Sequence, residues 1–200
     1  MKIIDIQGYS LSSGFGNKSY LGYLNNKNLK NIGIVELTTN KNINGYGETY
    51  SGVYAGELIK PIIDFLRINI INRKLENIKD IVNINDIILS KPFISRNGII
   101  PSIYSAVNIA LYDALSQYKE VPLYKLLNKN SNKKVRMYAS NGSSTFSPKE
   151  IQKDATQILD LGFNSYKMRI GLQSWNQDLK RVEQARSVLG NKNLMLDAIM

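Results

Sequence analysis

The 200-residue chain is 43% hydrophobic, which is enough to bury the core of one large domain or two small ones. It contains no Cys and no His, which excludes a disulfide framework, a thiolate metal site and imidazole chemistry, and which fits a cytoplasmic protein. Its net charge of +10 does not by itself indicate a nucleic-acid partner, because the basic residues are dispersed among Asn and Ile, without long runs or interleaved aromatic residues.

The N-terminal part of the chain has the pattern of an antiparallel β-meander. Alternating apolar and polar residues predict strands over residues 2–11 and 31–39, an Asn-rich turn covers 40–45, and a third strand opens at Tyr46. No signal-peptide pattern precedes the first strand, and no apolar run approaches the length of a membrane span. We therefore expect no membrane partner.

Helical periodicity dominates the next part of the chain. It predicts helices over residues 55–68, 78–89 and 101–118, and Pro101 is well placed in the first turn of the last one. A short turn over 123–127 and an Asn-rich segment follow. The composition of this segment predicts a domain boundary at residue 134.

The C-terminal third alternates strands and helices. Ser147 and Glu150 form a capping-box pattern that predicts a helix start, and Gly162 predicts its end in a left-handed cap. Strands that alternate with helices of this length predict right-handed βαβ units and a parallel sheet. The predicted strands cover residues 136–140, 165–170 and 194–197, and the predicted helices cover 148–161 and 175–189.

Charged residues lie at the ends of the last two predicted strands. Lys167 and Arg169 are two residues apart and therefore point to one face of their strand, and Asp197 ends the next strand. Because the carboxyl ends of parallel strands meet at one rim, these side chains are candidates for an active site. The alternative, an exposed strand face and a helix-capping Asp, stays open on spacing alone.

The assembled features resemble the enolase superfamily, in its mandelate racemase and muconate lactonizing branch. The likeness covers nearly the whole chain, and its second and third stretches are the most specific. The stretches that carry it are Gly45-Tyr-Gly-Glu48, Ser105 to Asp113 running on to 121–127, Gly162 to Gly171, and Leu194 to Ala198.

The resemblance implies an α+β capping domain over residues 1–134, with an antiparallel three-stranded meander plus helices, followed by the start of a modified TIM (β/α) barrel over 135–200. In the family, Mg²⁺ stabilises the enediolate that forms when a base removes the proton alpha to a carboxylate. Lys167 and Arg169 match the K-x-K pair of the family, and Asp197 matches its first metal ligand. The implied substrate is a small carboxylate, an acid sugar or a 2-hydroxy acid, and the implied full-length protein is a homo-oligomer.

The chain departs from the family in three respects. Arg169 replaces the lysine that usually acts as base, and Arg stays protonated near neutral pH. Ile199 replaces a usual Asn. The chain also supplies only two βα units and a third strand of a barrel that takes about 250 residues, so the later carboxylate ligands are expected beyond Met200 and the 200 residues are expected to be inactive alone.

Two segments are expected to form the flap that covers the substrate, residues 14–28 and 50–56. The resemblance implies an acid-sugar dehydratase or a mandelate racemase-like enzyme. Because Arg169 removes one of the bases that the family uses, dehydration is expected rather than racemisation, with Lys167 as the alternative base. Other hypotheses are a muconate cycloisomerase or dipeptide epimerase-like enzyme, a non-catalytic fragment or binding module, and a basic nucleic-acid binder.

Overall fold

A computed structural model describes residues 1–14, 29–90 and 97–198 of the chain. The protein consists of two compact units, Met1–Ser131 and Asn132–Met200. The domain boundary predicted at residue 134 lies close to this division.

Unit 1 contains a three-stranded antiparallel sheet in the order β1-β2-β3. β1 spans Ile3–Gly14, β2 spans Leu29–Thr39 and β3 spans Asn44–Thr49. Along β2 the side chains alternate, and Val35 and Leu37 are fully buried. The predicted meander is confirmed.

The helices of unit 1 bury one face of this sheet. α2 (Ile59–Ile70) packs against β1, and α4 (Ile99–Tyr118) packs against β2 and β3. α3 covers Ile78–Leu89, as the periodicity predicted, and the short turn predicted over 123–127 is the five-residue helix α5 (Leu123–Leu127). These elements share an apolar core that includes Ile3, Ile6, Val35, Leu37, Ile63, Leu66, Ile84, Val107 and Leu111.

The helix predicted over residues 55–68 is divided in the structure. α1 covers Ser51–Ala55, a single 3₁₀ turn covers Gly56–Leu58, and α2 begins only at Ile59. Ala55 has φ −149° and ψ 52°, which is not helical. Pro61 therefore falls in the first turn of α2, where its missing N–H leaves no intrahelical hydrogen bond unmade.

α4 is more apolar over its length than was expected of any segment from the sequence. The helix is long and apolar enough to cross a membrane, judged by length and composition alone. The prediction that no apolar run approaches this length is therefore wrong. Half of its most apolar stretch is buried inside the protein, and Val107 and Leu111 lie in the core of unit 1. Packing as a core helix therefore accounts for the apolar composition of α4.

α4 approaches β3 closely at two glycines. A Cβ added to Gly47 would lie 1.9 Å from the Ala106 carbonyl oxygen, and one added to Gly45 would lie 2.1 Å from the Ala110 carbonyl oxygen. Only a residue without a side chain allows this approach. The Gly45-Tyr-Gly-Glu48 stretch therefore positions a helix on a strand.

Unit 2 contains a parallel sheet in the order β4-β5-β6. The predicted alternation of strands and helices is confirmed. The core of this unit includes Ile151, Ala155, Tyr166, Met168, Ala185 and Leu189. The elements are β4 (Ala139–Ser140), α6 (Pro148–Asp160), β5 (Ser165–Arg169), α7 (Trp175–Leu189) and β6 (Asn193–Asp197).

β4 is shorter than the strand predicted over residues 136–140. Ala139 pairs with Tyr166, only one residue after β5 begins at Ser165. A β4 that began at residue 136 would therefore extend beyond the start of its partner strand. Met137 is 70% exposed. Among the residues that the structure describes, the alternating pattern before Ala139 therefore has neither a ladder partner nor a buried face.

The ends of α6 follow the predicted signals. Ser147 Oγ accepts a hydrogen bond from the Glu150 amide at 3.3 Å, and Glu150 Oε2 accepts one from the Ser147 amide at 2.8 Å. After the helix, Gly162 adopts φ +86°. The capping box and the left-handed glycine are both confirmed.

Candidate active site at the carboxyl ends of the strands

The side chains of β5 alternate between the core and the opposite face of the sheet. Tyr166 and Met168 are fully buried, whereas Lys167 is half-buried and Arg169 is exposed. This is the period-two pattern of a strand with one covered face. The structure thus places Lys167 and Arg169 on one face, as expected.

The two neighbouring strands bring a lysine and a carboxylate together. β6 runs parallel to β5 with Arg169 opposite Asp197. Lys167 Nζ donates a hydrogen bond to Asp197 Oδ2 at 3.0 Å, and the two side chains are 25% and 40% exposed, respectively. Lys167 Nζ also lies 6.0 Å from the centroid of the Tyr138 ring. The result is a cationic rim with one carboxylate at the carboxyl ends of β5 and β6.

Asp197 is the expected metal ligand, so the fit of a magnesium ion can be tested on its surroundings. Within residues 1–14, 29–90 and 97–198, no three His, Cys, Asp or Glu side chains lie where they could hold a metal ion together. Magnesium requires near-octahedral coordination and is not held by one carboxylate. The described residues therefore offer one potential ligand and do not by themselves make a magnesium site.

A buried carboxylate that sequence reasoning missed lies beneath this rim. Asp154 of α6 is 7% exposed and accepts hydrogen bonds from Asn141 Nδ2 at 2.7 Å, the Gly142 amide at 3.0 Å and the Tyr166 hydroxyl at 2.5 Å. Burial, followed by the bond to Asp154, raises the pKa of the Tyr166 hydroxyl well above its usual range. Asp154 thus connects the loop after β4 to β5.

A second buried network was also missed, and it lies on α7. Arg181 is fully buried, pairs with Asp178 Oδ1 at 2.5 Å and donates to the Ser143 carbonyl oxygen at 2.6 Å. Asp178 Oδ2 in turn accepts from the Gly171 amide at 2.7 Å. The pair therefore joins the loop after β4 to the loop after β5.

A signal for both networks is present in the sequence. Asp154 stands at helical spacing from Ile151 and Ile158, on the buried face of α6. In the same way, Asp178 and Arg181 share a face of α7 with buried apolar residues. A charged residue inside an apolar stripe predicts a buried group that needs hydrogen-bond partners.

The expected flap segments belong to unit 1. Residues 15–28 lie outside the described part of the chain. The other segment contains α1 and the preceding Tyr50, whose ring forms an edge-to-face pair with that of Tyr54, with the ring centroids 5.3 Å apart. Both are more than half exposed, and they line a cleft of about 290 Å³ together with Ser102. Ile199, the expected departure from the family, is also outside the described residues.

Comparison with known proteins identifies the family. Residues 25–128 match the family described as the mandelate racemase / muconate lactonizing enzyme N-terminal domain. This protein belongs to the mandelate racemase / muconate lactonizing enzyme family. The match covers more than half of the chain and includes the glycine stretch of β3 and all of α4. It confirms the resemblance, and solved structures of family members confirm the expected fold class.

The family members that resemble this chain carry out more than one reaction. An L-Ala-D/L-Glu epimerase from Clostridium acetobutylicum is 27% identical over 172 residues, which cover 82% of this chain and 44% of that protein. An arabinonate dehydratase from Saccharolobus solfataricus is 32% identical over 97 residues, which cover 48% of this chain and 26% of that protein. The chain therefore spans less than half of the length of these two relatives.

A solved family member has a similar structure. The dipeptide epimerase from Enterococcus faecalis V583, complexed with Mg and the dipeptide L-Leu-L-Tyr, is 26% identical and superposes with a TM-score of 0.78. The match covers 99% of this chain and 54% of that one. Magnesium is thus present in a solved relative whose fold this chain shares.

Proposed function

We propose that the protein is part of an enzyme that removes the proton alpha to the carboxylate of a small substrate, with magnesium as its cofactor. The observation that carries this proposal is the meeting of Lys167 and Asp197 at 3.0 Å, with Arg169 beside them at the carboxyl ends of two parallel strands. Membership of the mandelate racemase / muconate lactonizing enzyme family supports it.

Lys167 and Arg169 are assigned the binding of the substrate carboxylate. Removal of the alpha proton converts that carboxylate into an enediolate and places more negative charge on its oxygens. Fixed cations directed at this developing charge stabilise the transition state more than the ground state. The planar guanidinium of Arg169 is suited to bidentate contact with two oxygens.

Asp197 is assigned as one ligand of the magnesium ion. When bound, the ion would supply further positive charge for the enediolate. The described residues offer only this carboxylate, so the other ligands have to come from outside them. Before a metal binds, the bond from Lys167 keeps the Asp197 side chain at the rim.

The reaction class follows from Arg169. A racemase needs a base on each face of the substrate, and a permanently protonated guanidinium cannot be the base on its face. One-base chemistry, in which proton removal is followed by loss of a beta hydroxyl, is therefore favoured. The similarity to an arabinonate dehydratase supports an acid sugar as the substrate.

Epimerisation of a dipeptide is the second candidate. Its support is the similarity to an L-Ala-D/L-Glu epimerase, which matches 82% of the chain, and the fold shared with a dipeptide epimerase. An epimerase would have to use Lys167 as the base on the side where Arg169 stands.

The test is proton exchange in D₂O with the complete enzyme, which would supply the other magnesium ligands, offered acid sugars and dipeptides separately in the presence of magnesium. We expect deuterium incorporation and loss of water with an acid sugar, and a decrease of at least about 100-fold in Lys167→Ala. Lys180→Ala, which changes an exposed lysine of α7, is the matched control and should keep full activity. Exchange with dipeptides alone would favour the epimerase, and exchange that survives Lys167→Ala would contradict the assignment.

A further inference from the structure

The segment that follows β4 continues the parallel ladder beyond the two residues of that strand. The Asn141 amide donates to the Lys167 carbonyl oxygen at 3.0 Å, and the Arg169 amide donates to the Gly142 carbonyl oxygen at 2.9 Å. The backbones of both proposed substrate-binding residues are therefore bound to the dipeptide Asn141-Gly142. The placement of that dipeptide sets where Lys167 and Arg169 stand.

Asp154 holds this dipeptide in place. It accepts hydrogen bonds from the Asn141 side chain and from the Gly142 amide, and from Tyr166 on the neighbouring strand. Gly142 has φ +58°, and a Cβ there would lie 2.5 Å from the Met168 Cβ. The dipeptide thus has a conformation that only glycine adopts easily, fixed against β5 by a buried carboxylate.

Arg181 and Asp178 hold the adjoining segments. Arg181 donates to the carbonyl oxygen of Ser143, the next residue after the dipeptide, and Asp178 accepts from the amide of Gly171 beyond the end of β5. Gln173 adds a bond of 2.5 Å from its side chain to the Ser144 carbonyl oxygen. The loops after β4 and β5 are therefore fixed to each other and to α7.

We propose that Asp154 and Arg181 are positioning residues, which set the Lys167 amine and the Arg169 guanidinium at the rim by fixing the backbone to which β5 is bonded. That the rim binds a substrate rests on the proposed function, but the hydrogen bonds that fix the backbone of β5 do not depend on that function. Stability is a weak reason for such groups, since apolar replacement of a buried ion pair is often neutral or stabilising. Their hydrogen bonds fix the loops that follow β4 and β5, at the carboxyl ends of the strands, where the placement of side chains determines how a substrate binds.

The decisive variant is Asp154→Asn, which keeps the shape but leaves one acceptor oxygen for three donors. We expect the Gly142 and Arg169 amides to exchange with D₂O at least about tenfold faster. The Gly142 amide loses its bond to Asp154, and the Arg169 amide is bonded to the carbonyl oxygen of the same, now unfixed, Gly142. The Ala185 amide, in the core of α7, should keep its rate. Asp160→Asn, an exposed position at the end of the same helix, is the matched control and should leave all three amides unchanged.

A second measurement reports on the side chain of Lys167. Its acylation rate, divided by that of exposed Lys180, should rise at least about threefold in Asp154→Asn, because the amine loses its fixed bond to Asp197. Arg181→Lys, which cannot reproduce the fork of bonds to Asp178 and Ser143, should have the same effect. Asp197→Asn serves as the positive control for an amine released from this bond.

Equal acceleration of the Ala185 and Arg169 amides, with an unchanged ratio of lysine acylation rates, would overturn the proposal in favour of a merely structural role. If Asp154→Asn does not fold, Tyr166→Phe removes one of the three bonds and should still accelerate the Arg169 amide relative to Ala185. None of these readouts uses enzymatic activity. Failure of the proton-exchange test would therefore reject the proposed function without deciding the positioning role.

Discussion

Lys167 and Asp197 form an ion pair across two adjacent parallel strands, with Nζ and Oδ2 3.0 Å apart. Both side chains remain partly exposed, at 25% and 40%, so water screens their attraction. Lys167→Met and Asp197→Asn should therefore each change the free energy of unfolding by less than about 1 kcal/mol, measured by urea denaturation.

The matched comparison for this prediction is the buried ion pair of the same unit. Arg181→Met leaves the Asp178 carboxylate buried without its partner and should cost about 3 kcal/mol or more. A loss of similar size in Lys167→Met would contradict the assignment of that pair to ligand binding, because it would show that the pair stabilises the fold.

The glycines of β3 give a second prediction, for unit 1. Gly47→Ala places a Cβ 1.9 Å from the Ala106 carbonyl oxygen, and the backbone of a core helix cannot move away without loss of its packing. We expect a loss of at least about 3 kcal/mol in the free energy of unfolding, at the upper end of the range for overpacking. Thermal and urea denaturation of unit 1 measure it.

Gly14→Ala is the control for this change, because a Cβ at Gly14 meets no atom of the described residues within 4 Å. It should alter the free energy of unfolding by no more than about 0.5 kcal/mol. If Gly47→Ala were equally mild, the close approach of α4 to β3 would not be what requires glycine there.

The sequence predicts the secondary-structure elements of this protein better than it predicts the contacts between their side chains. The bounds of α3 and α7 follow from periodicity because each helix presents a buried stripe to a core. The Lys167 to Asp197 pair could be anticipated as a shared rim, but its distance depends on the stagger of β5 and β6, which neither strand encodes alone. Asp154 and Arg181 were missed because Asp and Arg are ordinarily exposed, and only their partners explain their burial.

Tyr166 gives a prediction for alkaline pH. Burial and the Asp154 carboxylate raise the pKa of its hydroxyl in the folded protein, whereas the unfolded side chain titrates near about 10. Below that pH the proton is bound in both states and the contribution to stability is complete. As pH rises above it, the unfolded state loses its proton first, so stability falls progressively.

Urea denaturation between about pH 9 and pH 11, a range that brackets the pKa of free tyrosine, measures this decrease in the free energy of unfolding. The decrease should be smaller in Tyr166→Phe than in the unchanged protein. Tyr104, whose pKa burial also raises, remains in both and contributes equally. Tyr50→Phe, at a side chain that is 59% exposed, should leave the decrease as it is, and an unchanged decrease in Tyr166→Phe would show that its hydroxyl is not buried against Asp154.

The replacement of a base by Arg169 gives the prediction that separates the two candidate reactions. An arginine holds its proton at any pH at which the protein is folded, so one face of the bound substrate lacks a base. In D₂O, exchange by the complete enzyme should therefore be confined to one enantiomer of a 2-hydroxy acid. Arg169→Lys supplies an amine that can lose its proton, and it should extend exchange to the second enantiomer.

The control for this change has to separate the loss of a guanidinium from the gain of a base. Arg169→Met removes the cation without adding a base, so it should lower exchange with the first enantiomer and give none with the second. Arg136→Lys makes the same chemical change at an exposed position of unit 2 and should change neither. Equal exchange of both enantiomers in the unchanged protein would mean that Lys167 or another group acts as the second base, and it would replace the dehydratase assignment with epimerisation.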